Sequence, residues 1–466
     1  MKKAAALIFF ISFSSIVFSQ QISLAGKWTV TLDSGSRNTY TIQLPGTLDD
    51  AGIGQPVAVN SSSTIGTFAH LQRKVQYVGK ALYTKRFTIP AAWKQSQITL
   101  TLGRVLWQSS ISINGKVLPV DEQSLSTSHA YDITDYVKPG KEQELKITVD
   151  NGNKYPGINI YATQYPSVES AEMTHAYTNH TQIKWNGIIG DITVSRKSLT
   201  NLQHVEVTTI DQKNIQVKWR LQNKSAKQVR VESFIVDPAT NRRWPERITR
   251  RLLQTDTTAA VFSIPRTAVF WNEFSPKLYQ LVTMVHSDAG SDTVRTSFGI
   301  RQLMTKEGDL YLNDSRLFIR SNLECIIFPL TGYPPMKITE WEQLFRKAKS
   351  YGLNSFRFHS WCPPQAAFTA ADKVGFYLQV ELPHWNLKVG SDMAAFEFLR
   401  NEAKRILSAY GNHPSFMFFS MGNELEGDFA KLNALVAELK QIDARHLYST
   451  TTFTFQKEMY IYPLNI

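Results

Sequence analysis

The hydrophobic rhythm of this chain changes once, at Phe298-Gly299-Ile300-Arg301, and that change limits what it can fold into. Before it, apolar and polar residues alternate in short runs: Gly26–Leu32, Ala81–Ile89, Ile98–Leu102, Ser110–Ile113 and Leu145–Val149. Period two is the mark of a half-buried strand. After it, short apolar runs take turns with longer stretches of helical spacing. A chain with both rhythms must build antiparallel sandwiches first and a helix-flanked parallel sheet afterwards.

The first segment, from Leu24 to about Arg196, is rich in turn signals. Asn114-Gly115 between Ile111-Ser112-Ile113 and Lys116-Val117-Leu118 predicts a two-residue hairpin. Many short strands of this kind predict a jelly-roll sandwich. From Leu202 to Phe298 runs a second β segment, with strands near Val205–Thr209, Ile215–Leu221, Val229–Val236 and Tyr279–Val285. Its length suits an immunoglobulin-like sandwich. The third segment reads as strand Leu317–Leu323, helix Thr339–Ser350, strand Asn354–Phe358, helix Pro364–Val374 and strand Phe376–Leu382. Helix Met393–Tyr410, strand Phe416–Met421, helix Asp428–Ile442 and strand Tyr448–Phe453 follow. Thr339 and Glu342 have capping-box spacing, and Trp341, Leu344, Phe345 and Ala348 share one helical face.

At 466 residues with 42% apolar and 19% charged content, the chain has material for about three packed domains. The division expected is a leader over 1–19, domains over 20–199 and 200–300, and a third domain over 301–466. Lys2-Lys3 followed by the apolar run Ala4–Phe18 has the layout of a secretory signal. That run is short for a membrane span, so a periplasmic or secreted protein is expected, with no membrane span. The net charge of +12 is dispersed, densest at Arg242-Arg243 and Arg250-Arg251, and no nucleic-acid motif surrounds it. Cys325 and Cys362 are too few for a disulfide framework and are expected as free thiols; neither has metal-ligand spacing, and no cofactor is indicated.

The residues most suggestive of chemistry lie around Phe416–Met421. This apolar run reads as a strand buried on both faces, and it delivers Gly422-Asn423-Glu424 at its C-terminal tip. In alternating β/α architectures catalytic groups gather at such tips. Asn423 and Glu424 could equally cap the helix that starts near Asp428. Gly411-Asn412-His413-Pro414-Ser415, the strand, and then Gly-Asn-Glu together resemble the acid/base motif of glycoside hydrolase family 2. That family holds β-galactosidases, β-glucuronidases and β-mannosidases. Further matches are Leu24–Trp28, Leu44–Asp50, Tyr83–Phe87, Asn114–Lys116, Trp185–Gly190 and Trp271–Tyr279.

The resemblance implies a (β/α)8 barrel for the third domain, which would be incomplete here, since five strands are read before Ile466. It implies that Glu424 is the general acid/base and that Asn423 contacts the sugar 2-hydroxyl. Arg357-Phe358-His359-Ser360-Trp361 resembles the family's Arg-x-Ser-His-Tyr, with the histidine one position early, so Arg357, His359 and Trp361 become candidate sugar contacts. Glu381-Leu382-Pro383-His384-Trp385 resembles an acidic family segment, which adds Glu381, His384 and Trp385. Asp49, Asp50 and the Asp150–Asn153 loop are further candidates from the first segment. Arg320–Cys325 departs from the family's first-strand pattern, which leaves the sugar open.

The family's nucleophile sits on a seventh strand. The function expected is therefore a retaining, exo-acting O-glycoside hydrolase of β-galactosidase type acting on glycans, with a carbohydrate as substrate, and inactive as this chain for want of that carboxylate. The alternative is a non-catalytic carbohydrate-binding protein. An open-sheet nucleotide enzyme is weaker, because no Gly-rich phosphate loop follows the first strand.

Overall fold

A computed structural model describes residues 20–33, 38–56, 75–152, 154–155, 158, 185–223, 228–252, 257–288, 290–326 and 328–454. The expected leader, Asn153 and the chain beyond 454 lie outside these residues.

A seven-stranded and a four-stranded sheet make the first sandwich. The larger carries Gly26–Leu32, Lys80–Thr88 and Glu142–Asp150 side by side, with alternate residues buried, broken in the second by the partly buried Lys85. Trp28, Tyr83, Leu100, Ile147 and Val194 are in its core. The hairpin forms at the predicted place: Gln108–Ile113 pairs with Lys116–Val117, and Asn114 and Gly115 take φ of +52° and +79°. Both values are left-handed, as a two-residue turn of this hand needs.

The second sandwich packs a three-stranded sheet on a four-stranded one. The latter is ordered Arg242–Leu252, Val229–Asp237, Tyr279–Ser287 and Gly290–Phe298. Trp219, Ile235, Leu281 and Phe298 fill the space between the sheets.

The third segment is a five-stranded parallel sheet, with strands β1 (Ser321–Glu324), β2 (Ser355–Phe358), β3 (Tyr377–Glu381), β4 (Phe416–Ser420) and β5 (Leu447–Ser449) in sequential order. Helices α1 (Ile338–Ser350), α2 (Gln365–Val374), α3 (Met393–Tyr410) and α4 (Phe429–Ile442) connect them. An open doubly wound sheet reverses its strand order at a switch point; this sheet does not.

Several expectations fail locally. The capping box at Thr339 is not used: α1 starts one residue earlier, at Ile338 after Lys337, and Glu342 pairs with Lys373 of α2 at 3.3 Å. Leu344 is exposed, whereas Trp341, Phe345 and Ala348 are buried. The buried stripe is therefore narrower than read. The first strand begins at Ser321, not Leu317, because pairing with β2 starts at Ser321–Ser355. Cys325 and Cys362 are unbridged, as expected.

The sandwiches and the parallel sheet are fastened at defined points. From the first sandwich, Arg104 donates to Ser126 O at 2.7 Å and to Cys362 O at 2.8 Å. Buried Glu402 of α3 accepts from Leu125 N at 2.8 Å and Ser124 Oγ at 3.1 Å. From the second, Asn412 donates to Val205 O and accepts from Val207 N, and Trp271 Nε1 donates to Asp372 O. The polar residues of the Gly-Asn-His-Pro-Ser turn are thus structural. Asn412 holds the second sandwich, and His413 pairs with Asp372 at 2.5 Å.

Candidate active site

Because all five strands run parallel, the residues after them share one edge of the sheet. Among the described residues there, three non-glycines have left-handed backbones: Ile326 after β1 (φ +56°), Ser360 after β2 (φ +57°) and Glu424 after β4 (φ +46°). Such conformations are unfavourable for side-chain-bearing residues, above all for β-branched Ile326, and they concentrate at functional sites.

The turn that presents Glu424 can be built only on glycine. Gly422 has φ +147°, and a Cβ there would sit 2.2 Å from His384 O. That close approach lets Asn423 N donate to His384 O at 2.9 Å, joining the tips of β3 and β4. Beyond the acid, Leu425 N donates to Thr451 Oγ1 at 3.0 Å, and Thr452 N donates to Gly422 O at 3.3 Å. Two threonines after β5 therefore hold the turn on both sides of Glu424. Capping of α4 falls to Asp428, whose carboxylate accepts from Lys431 N at 3.0 Å. Asn423 and Glu424 are free of that task.

Arg357 organises the centre. Its Nε donates to Glu381 Oε1 at 2.6 Å, and its Nη2 donates to Asn423 Oδ1 and Thr452 Oγ1, both at 2.6 Å. Glu381, fully buried, takes a second bond from Ser360 N at 2.8 Å. Burial pushes its carboxyl above the usual range, against the pull of Arg357. With Oδ1 of Asn423 engaged by Arg357, the amide orientation is set. Its Nδ2, in a residue 3% exposed, has no acceptor among the described residues. A buried donor without a partner is costly, about 1–3 kcal/mol, unless a ligand supplies the acceptor.

The two histidines are placed differently from one another. His359 donates its backbone N–H to Glu324 O and sets its ring edge-on to Trp385, with centroids 5.4 Å apart. Burial, aided by Arg357, holds its pKa down to about 4. His384, 3% exposed, has its Nδ1 3.2 Å from Met421 O, and burial holds it down to about 4 as well. Both rings are neutral at pH 7, so they offer polarity without charge.

The tips thus bring together Arg357, His359, Glu381, His384, Trp385, Asn423 and Glu424. Trp361 is not among them. Its ring is 1% exposed, donates to Glu324 O, and packs on Phe358 and Trp341 under α1, so the expectation of a sugar-contacting face there is not met. Glu381 reaches the site through Arg357 and has no exposed surface of its own. Asp50 accepts from Tyr333 Oη at 2.8 Å, linking the first sandwich to the loop after β1. Asn151 is buried, bonding Tyr77 O and Trp185 O, and serves the sandwich. Thr451, Thr452 and Ser360 escaped sequence reasoning. Nothing local marks them; only the strand order puts the two threonines against the Glu424 turn and Ser360 N against Glu381.

Comparison with known proteins adds to this geometry. The sugar binding domain of glycosyl hydrolases family 2 matches residues 13–166, and the family 2 domain that follows it matches residues 200–301. A β-galactosidase large subunit of Latilactobacillus sakei is 22% identical over 421 residues, 82% of this chain and 62% of its own length. A putative β-glucuronidase of Formosa agariphila is 24% identical over 392 residues, 80% of this chain and 34% of its own. The chain therefore spans between about a third and three fifths of these relatives. A solved family 2 member from Bacteroides cellulosilyticus superposes with TM-score 0.74 at 17% identity, covering 96% of this chain and 58% of that one. A β-D-glucuronidase of Dictyoglomus thermophilum gives 0.71 at 18%, covering 92% and 72%. Two consecutive domain matches from one family cover the sandwiches, and the solved folds extend over the parallel sheet, so the chain belongs to glycoside hydrolase family 2.

Proposed function

We propose that the strand tips form the acid/base side of a retaining, exo-acting O-glycoside hydrolase site of β-galactosidase type, acting on glycans. The observation that carries the reading is the Asn423 amide. It is locked by Arg357 with Nδ2 unpartnered among the described residues, next to a carboxylate held in a left-handed turn. Nδ2 would donate to a sugar hydroxyl oxygen, and Glu424 would protonate the departing glycosidic oxygen. Trp385, half-buried, would lie along the apolar C–H face of the ring. Neutral His359 and His384 complete the wall.

Retaining hydrolysis needs a second carboxyl about 5–5.5 Å from the first. Glu381 is a poor candidate: both its oxygens are engaged, by Arg357 and by Ser360 N, and the residue is fully buried. In this reading the sheet is part of a (β/α)8 barrel, which sequential strand order supports, and the nucleophile belongs to a further strand of it. Residues 20–199 and 200–300 are the sugar-binding and immunoglobulin-like domains, and 1–19 a secretory leader that directs the protein to the periplasm or beyond the cell.

The test has two arms. Titration of galactose, glucuronate and mannose against the chain, followed by NMR, should show binding that Asn423→Ala and Arg357→Ala each weaken about tenfold or more; binding that ignores both variants sinks the site. Aryl β-glycosides should show no steady turnover, since proton donation alone is worth only ~10²–10⁴-fold. Turnover lost in Glu424→Ala would place the nucleophile within this chain. In any active form, Glu424→Gln should slow substrates with poor leaving groups far more than activated ones.

A further inference from the structure

The arginine pairs at 242–243 and 250–251 are split by the fold. Register places Arg243, Arg247 and Arg251 on one face of Arg242–Leu252, opposite Val236, Phe234 and Arg230 of the neighbouring strand. The same register continues through Val282, Met284 and His286 to Arg295 and Thr293 on the far strand. This is the outer face of the four-stranded sheet, since Val231, Ile235, Leu281 and Val285 of the alternate set fill the sandwich core. Among the described residues of its four strands it gathers five arginines and His286 against one acid, Glu232.

Four of the five arginines are held ready. Arg243 lies over the Phe234 ring, 4.3 Å from its centroid. Glu232, 6% exposed, bonds Arg247 and also pairs with Arg230 at 3.0 Å, while those two side chains stay 53% and 50% exposed. Arg295 is steadied by Gln280 Oε1 at 3.0 Å. Arg243, Arg251 and Arg295 have no carboxylate partner among the described residues. Side chains fixed beforehand lose less entropy on binding, and guanidinium forks match carboxylate and sulfate groups.

The row from Arg243 to Arg251 is roughly 25 Å long, and the four strands are about 14 Å across. That suits a polymer rather than a lone anion. A second copy of the chain would set like charges face to face, which is unfavourable. Single-stranded nucleic acid needs exposed aromatic rings to stack on. Among the described residues the one Phe, Tyr or Trp ring on this face, Phe234, is 6% exposed beneath Arg243. A duplex groove calls for a protruding helix or ribbon, not a flat sheet.

We propose that this face docks an anionic polysaccharide, whose uronate or sulfate groups seat on Arg230, Arg243, Arg247, Arg251 and Arg295. The choice of a glycan rests on the reading of the strand tips as a glycosidase site, but docking is measured without turnover, so the two stand or fall separately.

The test is affinity electrophoresis and calorimetry of the whole chain with polygalacturonate and dextran sulfate. Their uncharged counterparts, fully methyl-esterified pectin and dextran, and a DNA duplex complete the set. The acidic polysaccharides should bind, more weakly as salt rises, and the neutral ones should not; which of the two acidic polymers binds tells uronate from sulfate. The triple variant Arg243→Glu/Arg247→Glu/Arg251→Glu should lose about tenfold or more in affinity. Arg86→Glu/Arg266→Glu/Arg346→Glu, the same charge change on other exposed arginines, should lose at most about twofold. If the triple reversal disturbs folding, judged by circular dichroism, Arg→Gln at the same three positions replaces it. No binding of either acidic polymer, equal loss in both triple variants, equal binding of neutral polymers, or DNA binding as tight as that of the acidic glycans would each overturn the proposal.

Discussion

Gly422 is the residue on which the proposed acid depends. A methyl group there meets His384 O at 2.2 Å, a backbone atom that cannot swing aside, and the backbone sits at φ +147°. Gly422→Ala should destabilise the fold by about 3 kcal/mol or more, seen as a lower urea midpoint at unchanged slope; a midpoint within error of wild type would show that the turn relaxes easily. His384 gives a second prediction. Its folded pKa is about 4 against an ordinary 6.5. The unfolded chain therefore takes up the proton first as pH falls. The contribution of a neutral buried His384 is complete above 6.5 and is lost as pH falls toward about 4, at up to ~1.4 kcal/mol per pH unit. Replacing it by Asn should flatten the pH dependence of stability across that window, and an unchanged slope would contradict the burial argument. Residue by residue, the sequence was informative where chemistry and backbone agree. Gly422-Asn423-Glu424 could be placed because a glycine must end a doubly buried strand that turns so tightly. Trp361 was misread because a tryptophan just past a strand can turn either outward to ligand or inward to core, and its spacing is the same in both cases.

Among the elements, α3 was the most legible and is the most connected. Its span, Met393–Tyr410, follows from the Asp392 cap, which accepts from Ala395 N at 3.0 Å, and from the Gly411 that ends it. What the pattern did not reveal is that one of its polar positions is buried. Glu402 faces the first sandwich, and helical periodicity cannot distinguish a buried acid from a solvated one. Burial pushes its carboxyl up, against the bonds it receives from the Ser124–Ser126 loop. Glu402→Ala should strand Leu125 N without an acceptor, leave Ser124 Oγ only Thr127 Oγ1 as a partner, and cost about 1–3 kcal/mol. Glu402→Gln keeps an acceptor and removes the buried charge, so it should stay within ~1 kcal/mol of wild type. Equal loss in both variants would mean that charge, not hydrogen bonding, makes the clamp. The α1 start was less legible for a related reason. Thr339 has the right partner at the right spacing, but Glu342 is drawn to Lys373 of α2, a contact between helices that spacing along one helix cannot disclose.

Over the whole molecule, period-two and helical rhythms separate the sandwiches from the sheet, but they do not show how much core those parts share. The first sandwich has a core of its own, including Trp28, Tyr83, Leu100 and Ile147. Leu106, Trp107, Leu125, Trp185 and Ile189 lie in the same stretch of chain yet belong to the core around α3 and β2–β4. In the intact protein these side chains are at most 5% exposed. Cutting the chain at 199 would uncover them, and each large apolar side chain gains about 1.5–3 kcal/mol from burial. It would also leave Arg104 without Cys362 O as a partner. Residues 20–199 expressed alone should therefore unfold cooperatively, on the strength of the separate core, but self-associate through this uncovered patch. Light scattering should find dimers or larger species at micromolar concentration, and Trp107→Ser/Leu125→Ser should return them to monomer with little change in the urea midpoint. A stable monomer without those substitutions would mean that the apolar end closes over itself, and that the two cores are coupled more loosely than their shared packing implies.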